Sequence, residues 1–352
     1  MNSATDTPTT HAPGGLLPVS VVIPTYNRAH LIARSIKSAL ANVLPGDEII
    51  VVDDGSKDDT AGAVAAFGDR VRYIRQNNAG AGPARNTGFN AATRPLVALL
   101  DSDDEWMSDA LLLHRQLLTA RPEVIYSFTD FVVKKSETEV FRKYVANWHL
   151  DPRPWSEILA PAVPYSSIAP LPPGRLDFGV HIGNLYDNLM ATNYVATFTF
   201  VVRREAAGAD RFSEDLHFCE DWELFAKLAR KGPVAYLDTE TAVQWGHDGP
   251  RLTDTNEYKM ASSRIRMIER NWGGDPAFVA RHGERMREIL AEQHRVCARW
   301  LLGQGRTREA RQELRQAPGS RTLHRMMSFL PGPLVHAFFS CTTRLREFMQ
   351  AE

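Results

Sequence analysis

The length and composition of the chain describe an ordinary globular protein of nearly neutral charge. Its 352 residues, 43% hydrophobic and 24% charged, suffice for one large domain or two smaller ones. A net charge of −1 excludes the strong positive field with which proteins gather nucleic acid, so no nucleic-acid partner is expected. Cys219, Cys297 and Cys341 are odd in number and widely spaced, which argues against a disulfide framework and predicts a reducing, cytoplasmic location.

The first residues carry no folding pattern. Residues 1–17 are rich in Thr, Pro, Ala and Gly and lack the basic start and apolar stretch of a signal peptide. We predict a disordered tail over residues 1–17.

From residue 18 onward, strand-like and helix-like patterns alternate. Apolar runs predict strands over 19–23, 48–52, 71–75 and 96–100. Helical spacing or helix-start signals follow each of them, over 29–42, from Asp58, over 82–92 and over 108–120. Such alternation predicts a parallel sheet with helices on both faces and a ligand beyond the carboxyl ends of the strands.

Polar clusters follow three of these strands, over 24–27, 53–56 and 101–103. Asp101 and Asp103 are two residues apart in an extended segment, so both side chains can point toward one ligand. Paired carboxylate oxygens suit a hard divalent ion, which in turn can bind a phosphate. Taken alone the pair is more typical of a solvated turn, and its position beside the other two clusters is what favours a metal site.

The remaining two thirds of the chain carry weaker patterns. Residues 126–211 hold little recognisable chemistry, although a helix is predicted over 181–190 and a strand over 197–202. Glycine pairs then separate three predicted helices, over 253–271, 277–302 and 306–316. This part of the sequence predicts a helical end to the chain.

Four motifs in order resemble the family-2 inverting glycosyltransferases of the GT-A fold. They are VVIPTYNR at 21–28, VVDDGS at 51–56, ARNTG at 84–88 and LDSDD at 100–104. The close resemblance covers about residues 18–125, and a second patch lies near 212–250. It implies an α/β, Rossmann-like GT-A fold with a mostly parallel sheet flanked by helices, followed by a C-terminal helical extension.

The resemblance also implies domain limits. The GT-A catalytic domain is expected over 18–250, with a nucleotide-sugar-binding half over 18–125 and an acceptor-binding half over 126–250. The helical extension is expected over 251–352.

Site roles come from the same resemblance. Residues expected to bind the nucleotide sugar, with a UDP-sugar favoured, are Pro24, Thr25, Tyr26, Asn27, Asp54, Asn78, Gly80, Arg85, Asp101 and Ser102. Tyr26 can cover the base and Asp54 can accept a hydrogen bond from its edge, although core packing and a simple turn remain the alternatives. Arg85 can pair with a phosphate or with Asp101.

A metal site and a catalytic base complete the implied machinery. Asp101 and Asp103 match the family's metal pair, with Asp103 as the direct ligand of Mn²⁺ or Mg²⁺, and His247 is a further candidate ligand. Asp221, in the Glu-Asp-Trp sequence at 220–222, matches the base that deprotonates the acceptor hydroxyl. The alternative for Asp221 is an acidic residue that merely favours a helix start.

The family builds many cell-surface glycans, so we expect a role in polysaccharide or glycoconjugate synthesis. The acceptor is a hydroxyl on a glycan, a lipid-linked carrier or a protein, and the sequence does not distinguish these. The segment 320–350 places arginines around an aromatic, apolar middle. This pattern indicates either peripheral contact with the inner face of the plasma membrane or a homodimer contact.

Three other classes of protein share single features with this sequence. A nicotinamide enzyme would have Gly-x-Gly-x-x-Gly after the first strand, whereas the nearest match, over 80–85, follows the third strand and lacks the last glycine. A phosphatase with Asp101 as nucleophile normally carries Thr or Val where this chain has Glu105. A non-catalytic module that binds nucleotide sugars remains open and is disfavoured by Asp221.

Overall fold

A computed structural model describes residues 15–246, 256–320 and 322–340. The described residues within 1–214 and 221–248 form one unit, and those within 215–220 and 249–352 form a second. Residues 1–14 of the tail predicted over 1–17 lie outside the described residues, and so does His247.

The strands of the first unit share one mixed sheet. They are β1 (Val19–Thr25), β2 (Glu48–Asp53), β3 (Arg72–Arg75), β4 (Leu96–Leu99), β5 (Glu105–Trp106), β6 (Tyr126–Lys134), β7 (Val140–Phe141), β8 (Val163–Pro164), β9 (Gly179–Gly183), β10 (Val201–Arg203) and β11 (Val234–Trp245). Their order across the sheet is β3-β2-β1-β4-β10-β6-β11-β9-β8, while β5 pairs with β11 and β7 with β6.

The strand directions change along the sheet. Strands β3, β2, β1 and β4 are parallel to their neighbours. Strand β10 is antiparallel to both β4 and β6, and β6 and β11 are again parallel. The carboxyl ends of β1, β2 and β4 therefore meet at one edge, where polar loops follow each strand.

Helices connect the strands or follow them. Those that begin before residue 230 are α1 (Ile32–Asn42), α2 (Thr60–Ala65), α3 (Ala81–Ala91), α4 (Ala110–Ala120), α5 (Val145–His149), α6 (Trp155–Ile158), α7 (Tyr186–Leu189), α8 (Arg204–Ala207) and α9 (Glu220–Ala229). Those that follow are α10 (Glu257–Ile268), α11 (Pro276–Gly303), α12 (Thr307–Arg315) and α13 (Thr322–Met327), and residues 332–340 are also helical.

Close packing of α3 against β1 fixes the start of α3 beside the strand ends. Every residue of β1 is buried. A Cβ added to Gly88 in α3 would lie 2.2 Å from Cγ1 of Val22, so only glycine lets the helix approach this closely. This contact places Arg85, which lies earlier in α3, near the loop that follows β4.

The predicted α/β architecture with flanking helices is confirmed, and two local predictions in the middle of the chain are wrong. The predicted helix over 181–190 is instead β9 followed by α7. Val180 and Ile182 pair with β11, and the Asn184 side chain accepts a hydrogen bond from the Tyr186 N–H at the start of α7. The strand predicted over 197–202 begins only at Val201, because residues 197–199 form a 3₁₀ turn.

The second unit is helical, as predicted. Helices α10 and α11 bury Ala261, Ile265 and Cys297 between them. Among the described residues, no helix has both the length and the apolar composition needed to cross a bilayer.

Candidate active site

The loops after β1 and β2 are hydrogen-bonded to each other. The Asn27 N–H donates to Ser56 Oγ at 2.9 Å, and the Lys57 N–H donates to Asn27 Oδ1 at 2.8 Å. Asn27 has a φ of 52°, a left-handed conformation that asparagine tolerates better than most residues. Both loops are thus held in place at the edge of the sheet.

Asp54 organises the segment that leads into α3. Its carboxylate is buried, and Oδ1 accepts hydrogen bonds from Gln76 Nε2 at 2.8 Å and from the Ala79 N–H at 2.9 Å. Oδ2 accepts from Asn78 Nδ2 at 3.0 Å and from the Gly80 N–H at 2.8 Å. These donors use the acceptor capacity of a carboxylate, so Asp54 holds residues 76–80 in one conformation.

An open cleft of about 600 Å³ lies beside this segment. Its lining residues are Gly55, Arg75, Gln76, Asn77 and Asn78. Gly55 has a φ of +77°, and a Cβ there would lie 2.9 Å from the Asn78 nitrogen, so this position requires glycine. Asn78, one of the residues predicted to bind the nucleotide sugar, lines this cleft, and buried Asp54 holds the segment that carries it.

Asp101 and Asp103 each lie beside a different arginine. Arg85 Nη2 lies 2.9 Å from Asp101 Oδ1, and Arg28 Nη2 lies 3.6 Å from Asp103 Oδ2. The two carboxylates keep 24% and 25% of their side-chain surface exposed, so a ligand can reach both. Arg34 Nη2 also donates to the Asp103 carbonyl at 2.6 Å, which ties the loop to α1.

Burial and nearby charges both shift the pKa of Asp101. Burial raises the pKa of this carboxyl, and the Arg85 guanidinium opposes the rise. The negative charges of Asp103 and Asp221 raise the same pKa further, and its net direction is upward. Geometry connects Asp221 to the same edge of the sheet: Thr197, which donates to Asp221 Oδ2 at 3.1 Å, lies three residues before Phe200, whose carbonyl accepts the Leu99 N–H of β4 at 3.2 Å.

Asp221 lies in the first turn of α9 and is held by two donors. Thr197 Oγ1 donates to Asp221 Oδ2 at 3.1 Å, and the Trp222 N–H donates to Oδ1 at 2.6 Å. Trp222 is buried, and its Nε1 donates to the Leu189 carbonyl at 2.6 Å, which fixes the start of the helix. The carboxylate thus has a defined orientation.

The remaining predicted residues differ in accessibility. Tyr26 keeps 39% of its surface exposed and can meet a ligand, whereas Pro24, Thr25 and Ser102 are buried. The Thr25 hydroxyl oxygen has no hydrogen-bond partner among the described residues.

Sequence reasoning missed Arg28 and Thr197. Arg28 is the last residue of the motif VVIPTYNR at 21–28, directly after Asn27, and this position was the available signal. Thr197 gave no signal, because its contact with Asp221 depends on a turn that was predicted as a strand.

The donor set at Asp101 and Asp103 fits a hard divalent ion. Within the part of the chain that the structure describes, no three Asp, Glu, His or Cys side chains are arranged as a complete metal site. Mg²⁺ and similar ions are commonly held by one or two carboxylates, with substrate phosphates and water completing the shell. The pair therefore fits an ion that is bound together with a diphosphate.

The sheet order and the flanking helices define the fold class as GT-A. The S. aureus TarS fragment in complex with UDP-GlcNAc is similar, with a TM-score of 0.57 and 17% identity over 86% of this chain and 82% of that one. The mannosyltransferase PcManGT from Pyrobaculum calidifontis, in complex with GDP-Man and Mn²⁺, gives a TM-score of 0.51 and 18% identity over 94% and 90%. Likeness at this level of identity shows the fold.

Sequence comparison then gives the family. The family model described as glycosyl transferase family 2 matches residues 20–160. An uncharacterized glycosyltransferase of Rickettsia typhi is 32% identical over 261 residues, which cover 73% of this chain and 70% of the relative. The chain belongs to glycosyl transferase family 2, and the predicted family is confirmed.

Other relatives match more narrowly. The chain spans 36% of the length of an uncharacterized glycosyltransferase of Rickettsia conorii, with 25% identity over 250 residues and 70% of this chain. The UDP-Glc:alpha-D-GlcNAc-diphosphoundecaprenol beta-1,3-glucosyltransferase WfgD of Escherichia coli is 40% identical over 95 residues, which are 26% of this chain and 38% of that protein.

Proposed function

We propose that the chain transfers a sugar from a nucleoside-diphosphate sugar to an acceptor hydroxyl, with Mn²⁺ or Mg²⁺ and with inversion at the anomeric carbon. One observation carries this proposal: Asp101 and Asp103 follow β4 with an arginine beside each, and the turn that donates to Asp221 is hydrogen-bonded to the end of the same strand. Asp101, Asp103 and their two arginines would serve the leaving group together with a divalent ion, and Asp221 would serve as the carboxylate base.

Asp101 and Asp103 are the residues that would hold the ion, and His247 is proposed as a further ligand. The bound ion would neutralise charge on the departing diphosphate. Arg85 and Arg28 hold the two aspartates at 2.9 and 3.6 Å, and their guanidinium groups add positive charge where the diphosphate would lie. Tyr26, Asn27, Asp54, Asn78 and Gly80 would bind the nucleoside, directly or by shaping the loops.

Asp221 is proposed to take the proton of the acceptor hydroxyl. The hydroxyl oxygen then forms a bond to the anomeric carbon on the face opposite the diphosphate. The bond between that carbon and the diphosphate oxygen breaks, and its electron pair leaves with the nucleoside diphosphate. The hydrogen bonds from Thr197 and Trp222 hold the Asp221 carboxylate in a fixed orientation for this step.

A UDP-sugar is the favoured donor, and a lipid-linked glycan is the favoured acceptor. TarS was crystallised with UDP-GlcNAc, and the name of WfgD gives UDP-Glc and a diphosphoundecaprenol-linked acceptor. A further relative, 47% identical over 95 residues, is the succinoglycan biosynthesis protein ExoO of Rhizobium meliloti. These names support a role in polysaccharide synthesis. We further propose a cytoplasmic location, with 18–250 as the catalytic domain and 251–352 as the helical extension.

The test is a screen of the purified chain with UDP- and GDP-sugars, with Mn²⁺, Mg²⁺ or a chelator. We expect at least one UDP-sugar to raise the melting temperature only when metal is present, and an acceptor glycan to release the nucleoside diphosphate. Release of phosphate from a phosphomonoester would favour the Asp-nucleophile phosphatase instead. Donor binding without turnover across an acceptor panel would favour a non-catalytic module.

A further inference from the structure

The last described segment exposes a group of large apolar side chains. We define the C-terminal apolar face as Leu323, Met326, Phe329, Leu330, Leu334 and Phe338. Phe329 is 70% exposed, Met326 65% and Leu334 64%. Soluble monomers rarely leave so many large apolar side chains exposed within one short segment, and such a group marks an interaction surface.

The same segment is anchored on its other side. Met327 and Val335 are buried in a cluster with Leu301, Leu302 and Ala310. Arg311 Nη2 also donates to the Ser328 carbonyl at 2.5 Å. The segment is therefore packed against α11 and α12, and the exposed side chains belong to the outward side of an amphipathic element.

The charge of this part of the sequence has one sign. No Asp or Glu occurs between Glu313 and Glu347, whereas arginines stand at 315, 321, 325, 344 and 346. Arg315 and Arg325 are exposed, and the Arg311 guanidinium lies 4.0 Å from the centre of the Phe329 ring. In a chain with a net charge of −1, the stretch between Glu313 and Glu347 is therefore a basic part of the sequence that also carries the apolar side chains.

We propose that the C-terminal apolar face docks on an anionic lipid bilayer. The apolar side chains would enter the boundary between headgroups and acyl chains, and the arginines would contact anionic headgroups. A second copy of the chain fits less well, because a two-fold contact would bring the two sets of arginines together without any acidic residue between 313 and 347 to pair with them.

Docking of this kind goes beyond the transfer reaction and does not depend on it. It would hold the enzyme at a surface where lipid-linked acceptors lie. Because vesicle binding can be measured without donor or acceptor, failure of the docking proposal and failure of the proposed function are distinguishable.

The test is sedimentation of the full chain with vesicles of phosphatidylcholine alone or with about one third phosphatidylglycerol. We expect at least tenfold tighter binding to the anionic vesicles, and weaker binding as salt is raised from 0.05 to 0.5 M, since salt screens exposed charges. The double variant F329D/L330D should lose at least tenfold in vesicle affinity, and R325E about threefold.

A matched control keeps the test specific. Leu176, 87% exposed in the first unit, is replaced by Asp, and L176D should bind vesicles like the natural chain. Circular dichroism checks that every variant is folded. Equal vesicle binding by F329D/L330D and the natural chain would overturn the proposal. So would an absence of vesicle binding, or a dimer in ultracentrifugation that F329D/L330D dissolves.

Discussion

Two parts of the first unit are stabilised in different ways. At the ends of β1, β2 and β4, side chains of Asn27, Ser56 and Asp54 hydrogen-bond to backbone N–H groups of neighbouring loops. Beside β6 and β11, aromatic rings pack against one another instead. Trp155 of α6 stacks on Tyr236 of β11, with ring centroids 3.9 Å apart. The hydrogen bonds fix the shape of loops that contact the ligand, whereas aromatic packing contributes to stability. Substitutions in the first part should therefore lower activity, and those in the second should lower the free energy of unfolding.

The largest effect should come from D221N. The amide keeps the shape and can still accept a hydrogen bond, but it cannot take the proton of the acceptor hydroxyl. We expect kcat to fall about a thousandfold, as for loss of a general base. Donor affinity, measured by calorimetry, should stay within about twofold. Near-normal kcat in a folded D221N protein would remove Asp221 from the chemistry.

Loss of Asp103 should affect the metal as well as the rate. D103A removes one of the two carboxylates proposed to bind the metal ion, and we expect turnover to fall at least a hundredfold. The apparent Kd for Mn²⁺ in the presence of donor should rise at least tenfold. The matched control is D69A, which removes an exposed aspartate from a loop between α2 and β3. Unchanged metal dependence in D103A would contradict the assignment.

The aromatic region should respond to W155A with instability rather than lost donor binding. Trp155 contacts the rings of Tyr236, Tyr194 and His149. Trp155 is half-buried, so its truncation should lower the free energy of unfolding by about 3 kcal/mol, the lower end of the range for large aromatic residues. W148A, which removes an edge contact with Phe131, should cost about 1 kcal/mol. Denaturant titration measures both losses, and calorimetry measures donor affinity. A W155A protein of unchanged stability that has lost donor binding would contradict the contrast between the two regions.

The smallest effect is expected for T197V, which tests how Asp221 is oriented. Valine keeps the shape of threonine and removes the donor to Asp221 Oδ2. We expect kcat to fall about tenfold, the value of one hydrogen bond to a charged group, with donor KM unchanged. T199V is the control, because Thr199 lies in the same turn and donates to the Ala196 carbonyl instead. An equal loss in T199V would make the effect structural.

The parallel part of the sheet could be predicted because apolar runs alternate with helical patterns, and three of the four runs end in polar clusters. These clusters allowed Asp101 and Asp103 to be placed at the edge of the sheet, whereas the family followed from the resemblance of four motifs. The helix predicted over 181–190 was wrong because pairing of Val180 and Ile182 with β11 overrides a local helical pattern. The Thr197–Asp221 hydrogen bond joins a residue of the 3₁₀ turn to one 24 positions later in the chain. Such a contact depends on the fold, so no local sequence pattern predicts it.

The hydrogen bonds of Asp54 have a consequence for engineering the donor preference. Gln76, Asn78, Ala79 and Gly80 all donate to this one carboxylate, so the cleft wall and its anchor form a single module. Exchanging residues 76–80 alone for those of a relative would leave the Asp54 carboxylate, or the donors of the new segment, without hydrogen-bond partners. A chimera designed to accept another base should therefore transplant position 54 and the 76–80 segment together.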